Sequence, residues 1–210
     1  MLEVSAMRLA GKKIGVALTG SFCTIPEVIP QIEKLVAEGA DVYPILSEKV
    51  ATQNTRFGKA ADTARRLEQI TGREPACTIQ EVEPLGPGKV LDALVIAPCT
   101  GNTLAKLAIG ITDGPVLMAA KSTLRNGRPL ILGVSTNDGL GANAKNLGIL
   151  LNTKNVFMIP FGQDAPESKP NSLVSDMNLM VDAVVGALEG RQIQPLLVDR
   201  TKTAGYANLR

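Results

Sequence analysis

The feature that most constrains the fold of this chain is an alternation. Short runs that are apolar throughout are followed by longer stretches with helical period. The apolar runs are Lys13 to Leu18 (KIGVAL), Val42 to Leu46 (VYPIL), Ala93 to Ala97 (ALVIA), Pro129 to Val134 (PLILGV) and Val156 to Ile159 (VFMI). A strand without a polar face must be covered on both sides, which is the condition of a parallel sheet wrapped by helices. Between the runs, Pro26 opens a helix with Ile25, Ile29, Ile32, Leu35 and Val36 on one face, and Gly39 closes it. Residues 57–71 form a polar, basic helix with Ala60, Ala64, Leu67 and Ile70 inward. Helices are also predicted over Thr103–Ala108 and Pro115–Arg125, and a last one over Ser172–Leu188. Pro44 assigns the second strand to an edge, and ALVIA reads as central, with Pro98 stopping it. A weak strand is predicted at Thr78–Val82, and Pro160–Asn171 reads as a loop. The expected architecture is a single doubly wound α/β domain, mostly parallel, in a Rossmann-like or flavodoxin-like three-layer arrangement. It spans residues 1–190 and is followed by a C-terminal tail, 191–210.

Composition narrows the function classes. A chain of 210 residues with 45% hydrophobic content can build one buried core. The net charge of +2, with two Tyr, four Phe and no Trp, offers neither a basic footprint nor stacking platforms for nucleic acid. Three cysteines without metal-ligand spacing point to neither a disulfide framework nor a metal site. No apolar run reaches the length of a membrane helix and no signal pattern opens the chain, so a cytoplasmic protein is expected. Histidine is absent. That removes Ser-His and Cys-His nucleophiles and a histidine base, leaving carboxylates, Lys, Arg, hydroxyls, thiols, backbone dipoles or a bound cofactor.

In open parallel sheets ligands bind beyond the carboxyl ends of the strands, so the residues after each strand carry the chemistry. After the first strand come Thr19, Gly20 and Ser21, ahead of a helix N-terminus suited to an anion. The loop is neither G-x-G-x-x-G nor a P-loop, and an ordinary tight turn is the competing reading. Ser47 follows the second strand, where it could reach the same anion or simply cap a helix. Pro98, Cys99, Thr100, Gly101, Asn102 and Thr103 follow the central strand. Thr100 is also a candidate cap, and Cys99, with no histidine to activate it, suits packing. The stretch Ser135–Asn146 has the highest density of polar groups and reads as a substrate loop. In it Asn137, Asn143 and Lys145 are candidate hydrogen-bond donors to a ligand, and Asp138 is a candidate base or a turn residue.

These segments carry a resemblance. PCTGNT followed by LAKLAIGITDG is similar to the P-A-S-x-N-T-x-x-K-x-A-x-G-x-x-D signature of the flavoprotein superfamily that includes the flavin-containing cysteine decarboxylases. Within it, TGSFCTIPEV, PCTGNTLAKLAIGITDGPVLMAAKSTLRN and GVSTNDGLGANAKNLG make residues 11–190 resemble the B-subunit family of dipicolinate synthases. The resemblance implies an FMN site with its phosphate at Thr19, Gly20, Ser21 and Ser47 and further contacts from Pro98, Cys99, Thr100, Asn102 and Thr103. It implies a partner, the A-type subunit of dipicolinate synthase, that binds NADP and takes hydride. The implied reaction oxidises dihydrodipicolinate to dipicolinate, in the cytoplasm of the mother cell of a spore-forming bacterium. The superfamily's flavin sites lie at subunit contacts, and Ile111–Ala120 holds more Leu, Met and Ala than one helix face needs, so a homo-oligomer, a trimer or larger, is expected. Two departures stand out. The decarboxylases' histidine is missing, and their P-A-M-N-x-x-M motif reads STNDGL here, keeping Asn137 in register. The alternative expectations are an FMN-dependent decarboxylase and a non-catalytic scaffolding subunit.

Overall fold

The computed structural model describes residues 7–201. Its strands are β1 (Lys13–Leu18), β2 (Asp41–Leu46), β3 (Ala93–Cys99), β4 (Leu130–Thr136), β5 (Val156–Met158), β6 (Phe161–Gly162) and β7 (Leu173–Ser175). The helices are α1 (Ile25–Ala37), α2 (Glu48–Thr52), α3 (Ala60–Thr71), α4 (Ile79–Val82), α5 (Gly101–Ala108), α6 (Pro115–Arg125), α7 (Ala144–Leu151) and α8 (Met180–Leu188). The chain is a single α/β domain around a mostly parallel seven-stranded sheet, as its apolar runs predict. Alternate strand residues feed opposite faces. Ile14, Val16, Val95 and Ile131 pack with Ile32, Leu35, Leu67 and Val184 on one side. Leu94, Ile96, Leu130 and Leu132 pack with Leu104, Ala120, Leu147 and Leu150 on the other.

The order β2-β1-β3-β4 places β1 between its two successors, with Ile14 beside both Val42 and Ala93. The chain thus reverses its winding direction at β1, and a crevice opens between the carboxyl ends of β1 and β3. Pro44 lies on the edge strand, where its missing N–H costs no ladder bond. Beyond β3, the first half of β4 pairs with parallel β5 and its last residues, Ser135 and Thr136, with antiparallel β7. The β6–β7 hairpin therefore rises at the carboxyl edge and walls the crevice.

Several sequence expectations are corrected. Thr78–Val82 is a helical turn, not a strand. Thr78 accepts the Glu81 amide while the Glu81 carboxylate accepts the Thr78 amide, a reciprocal cap that favours helix. Pro98 does not end β3, because the ladder to β4 shifts register between Ile96 and Cys99 and resumes at Cys99 and Val134. The predicted helix from Ser172 begins only at Met180. Leu173–Ser175 is strand, and Asp176 caps a 3-10 turn over Met177–Leu179 by accepting the Asn178 amide. Within Pro160–Asn171, Phe161 and Gly162 form β6. On α1 the inward face is Ile25, Val28, Ile32 and Leu35, with Val36 left exposed.

The first part of the tail folds back. Phe161 N–H donates to the Leu196 carbonyl and Val198 N–H to the Phe161 carbonyl, both at 3.0 Å, so the tail runs beside β6. Gly162 makes this approach possible, since a Cβ there would overlap the Val198 carbonyl oxygen. Residues 202–210 of the tail lie outside the described residues. Among the described residues no helix is long and apolar enough to cross a membrane.

Candidate functional site at the carboxyl edge

Thr19 closes the floor of the crevice. Its buried hydroxyl donates to the Pro98 carbonyl at 2.7 Å and accepts the Thr100 amide at 3.0 Å, locking the β1 loop to the end of β3. Thr100 then caps α5 by accepting the Thr103 amide, so the N-terminus of this helix faces the crevice. At Gly101 an added Cβ would lie 2.6 Å from Asn143 Nδ2 and 2.7 Å from Thr136 Oγ1. The missing Cβ lets the Asn143 and Thr136 side chains of the β4 loop pack directly against the start of α5.

Two clefts open from this floor and share Gly20, Thr100 and Asn102. The larger, about 780 Å³, is lined mostly by polar and charged residues. On its wall the Ser21 and Thr24 hydroxyls lie 2.7 and 2.8 Å from the buried Ser135 hydroxyl, and 3.2 Å from each other. Asn137, Asp138 and Asn143 line the β4 side. Asp138 is also the organiser of its loop, accepting the Ala142 amide at 3.0 Å and Asn143 Nδ2 at 3.3 Å. The cations on this wall are Arg56, Lys169 and Arg200, set against Glu27, Asp138 and Asp164.

The smaller cleft, about 360 Å³, is bordered by Thr19, Ser47, Thr103 and Lys106, with an apolar wall of Pro115, Val116 and Leu117. Ser47 occupies the N-cap position of α2 without capping it, and its hydroxyl is buried with no hydrogen-bond partner. A buried, unsatisfied hydroxyl costs free energy unless a ligand completes it. Gly20 is open here, since an added Cβ would meet nothing closer than 3.7 Å. Lys106 donates to Asp113 at 2.5 Å, and that hydrogen bond holds the Asp113 carboxyl below the ordinary range.

The structure thus separates residues that the sequence groups. Ser21 faces the larger cleft and Ser47 the smaller, with Gly20 between them. Thr19 and Thr103 border the smaller cleft, while Thr100 and Asn102 border both. Pro98 and Cys99 line neither, and Pro98 contributes only its carbonyl. Burial pushes the Cys99 thiol up, which suits the core position it occupies beside Leu104. Lys145 is exposed on α7 and lines neither cleft. Sequence reasoning missed Thr24 and Arg200. Thr24 stands one turn from Ser21 in a loop already singled out. Arg200 sits in an aperiodic tail and gave no signal.

Residues 3–188 match the family described as Flavoprotein. The chain belongs to the Flavoprotein family. It is 54% identical over 191 residues to the B-type subunit of dipicolinate synthase from Bacillus subtilis (strain 168), covering 91% of this chain and 96% of that protein. The crystal structure of the corresponding dipicolinate synthase subunit from Bacillus halodurans C superimposes with a TM-score of 0.85 at 48% identity, over 91% of this chain and 98% of the other. The FMN-dependent cysteine decarboxylase SpaF shares the fold alone, with a TM-score of 0.60 at 18% identity over 87% and 99% of the two chains. Arg200, which lines the larger cleft, lies beyond the residues that match the Flavoprotein family.

Proposed function

We propose that the chain is the B-type subunit of a dipicolinate synthase, holding a flavin-type ligand in the smaller cleft and a pyridine dicarboxylate skeleton in the larger. The observation that carries this reading is the similarity to the B-type subunits of dipicolinate synthase along nearly the whole of both chains. The site chemistry fits. The unpaired Ser47 hydroxyl, the open face of Gly20 and the α5 N-terminus form a donor set for a phosphate, and Pro115, Val116 and Leu117 give an apolar wall for a ring system. When bound, a flavin supplies two-electron redox chemistry.

Aromatisation of a dihydropyridine dicarboxylate removes a hydride and a proton. In this proposal the hydride goes to NADP on the A-type partner. The chain's own residues orient the ring and receive the proton. Asn137 and Asn143 donate to the carboxylates, and Asp138, at the cleft edge, is the proposed proton acceptor. Lys145 can join only if α7 meets another surface. Exposed Ile109, Ile111, Ile149 and Leu151 on and beside α5 and α7 supply apolar material for assembly with further copies, the proposed trimer or larger.

The test is co-expression with the A-type partner and assay of dipicolinate formation from dihydrodipicolinate, with the visible absorbance of the purified chain read for flavin. The expected result is activity that needs both proteins. Full activity of the A-type partner by itself would overturn the proposal.

A further inference from the structure

We infer that Arg200, reaching into the larger cleft from the C-terminal tail, is an anion-recognising residue that selects a carboxylate-bearing ligand. The inference rests on the reading of that cleft as a dicarboxylate site. Arg200 is only 5% exposed, yet it borders the cleft. Burying a guanidinium is costly unless its N–H groups are well paired, and here they are not. Nη2 donates to Glu27 Oε2 at 3.3 Å and Nη1 faces Asp176 Oδ1 at 3.3 Å, both long for charge-assisted contacts. Asp176 Oδ1 is shared, since it also accepts the Asn178 backbone amide at 3.2 Å and Asn178 Nδ2 at 3.1 Å. Nε is buried with no partner at all.

Glu27 and Asp176 are therefore positioning residues. They fix the plane of the fork without saturating it. Arg200 lines a cleft whose other acids have internal partners: Asp138 its own loop, and Asp164 the Ser172 hydroxyl at 2.7 Å and Lys169 at 3.7 Å. A planar carboxylate matches a planar guanidinium better than it matches any other side chain in this wall. Arg200 is delivered by the pairing of the tail with β6, so the selectivity resides in a segment outside the family match.

The test is calorimetry on the full chain with pyridine-2,6-dicarboxylate, benzene-1,3-dicarboxylate and the neutral pyridine-2,6-dicarboxamide. The wild type should prefer the dicarboxylates to the diamide. Arg200→Gln should weaken both dicarboxylates by roughly ten- to hundredfold and leave diamide affinity unchanged. Arg200→Lys, which keeps the charge but not the fork, should fall between, and it is the variant read if Arg200→Gln does not fold. A tail that serves only as a latch would change all three affinities together, which overturns the inference. Retention of the wild-type preference in both variants overturns it while leaving the substrate reading intact. Binding of the benzene dicarboxylate alone, lost in Arg200→Gln, overturns the pyridine reading and leaves Arg200 in its role. Absence of binding by any dicarboxylate overturns both.

Discussion

Ser21 and Ser135 stand 114 residues apart in sequence, yet their hydroxyl oxygens lie 2.7 Å apart. The contact ties the loop after β1 to the end of β4 across the intervening β3, so the rim of the larger cleft is braced at its centre. Thr24 joins at 2.8 Å from Ser135, and the three hydroxyls can pass one donor each around a ring.

Removing the middle member tests the brace. In Ser135→Ala, Ser21 and Thr24 are still 3.2 Å apart and can pair with each other. The expected loss is therefore modest, about 1 kcal/mol, or roughly 2–4 °C in Tm for a domain of this size. Thermal unfolding followed by circular dichroism measures it. A loss several times larger would mean that the ring carries structure well beyond this rim.

Gly162→Ala tests the tail. Its new Cβ would meet the Val198 carbonyl, a backbone atom that cannot turn aside. The tail should leave β6, and Arg200 with it, while the β6–β7 hairpin stays paired to β4. Limited proteolysis should cut near residues 194–200 in the variant well before the wild type, and hydrogen exchange at the Val198 amide should speed up. An unchanged digestion pattern would show that the strand pairing does not hold the tail.

The legible and illegible parts of the sequence divide along a physical line. The runs KIGVAL, ALVIA and PLILGV announce central parallel strands because both faces need apolar residues, and β1, β3 and β4 occupy those places. The positions of Thr19, Thr100 and Ser135 at the carboxyl edge follow from strand ends alone. Leu173 and Met177 fit a helical face as well as they fit a short strand and a 3-10 turn, so periodicity could not separate them. The T-x-x-E at Thr78–Glu81 was readable as a helix start. Arg200 was not readable. Its place depends on Glu27 and Asp176, 173 and 24 positions away, and no local pattern encodes such a meeting. The division of Ser21 and Ser47 between two clefts likewise depends on loop directions that strand ends do not fix.

Acid stability should report on Glu81. Its carboxylate accepts the Cys77 amide at 2.6 Å and the Thr78 amide at 2.9 Å, and these backbone hydrogen bonds hold it below the ordinary glutamate range. A lowered folded-state value means that the stabilisation is present above the unfolded-state value. It is lost as pH falls through the lower, folded one. Glu81→Gln should therefore flatten part of the acid limb of the stability curve and leave the alkaline side unchanged. Urea unfolding at a series of pH values measures the difference, and parallel curves for the two proteins would rule the carboxylate out.

Ser47→Ala should move stability and ligand affinity in opposite directions. In the ligand-free chain the hydroxyl is buried without a partner, so removing it relieves an unsatisfied group, and thermal stability should hold or rise slightly. A phosphate-bearing ligand would give that hydroxyl its missing partner. Its loss should then weaken FMN binding by roughly tenfold or more, the scale of one hydrogen bond to a charged group. Ser21→Ala, in the neighbouring cleft, should leave FMN affinity much closer to wild type, because its hydroxyl is already engaged by Ser135 and Thr24. Fluorescence quenching of FMN titrated with each purified variant separates the cases. Equal losses for Ser21 and Ser47 would place the phosphate at the shared Gly20 rim, whereas a loss confined to Ser21 would move it to the larger cleft and displace the dicarboxylate from there.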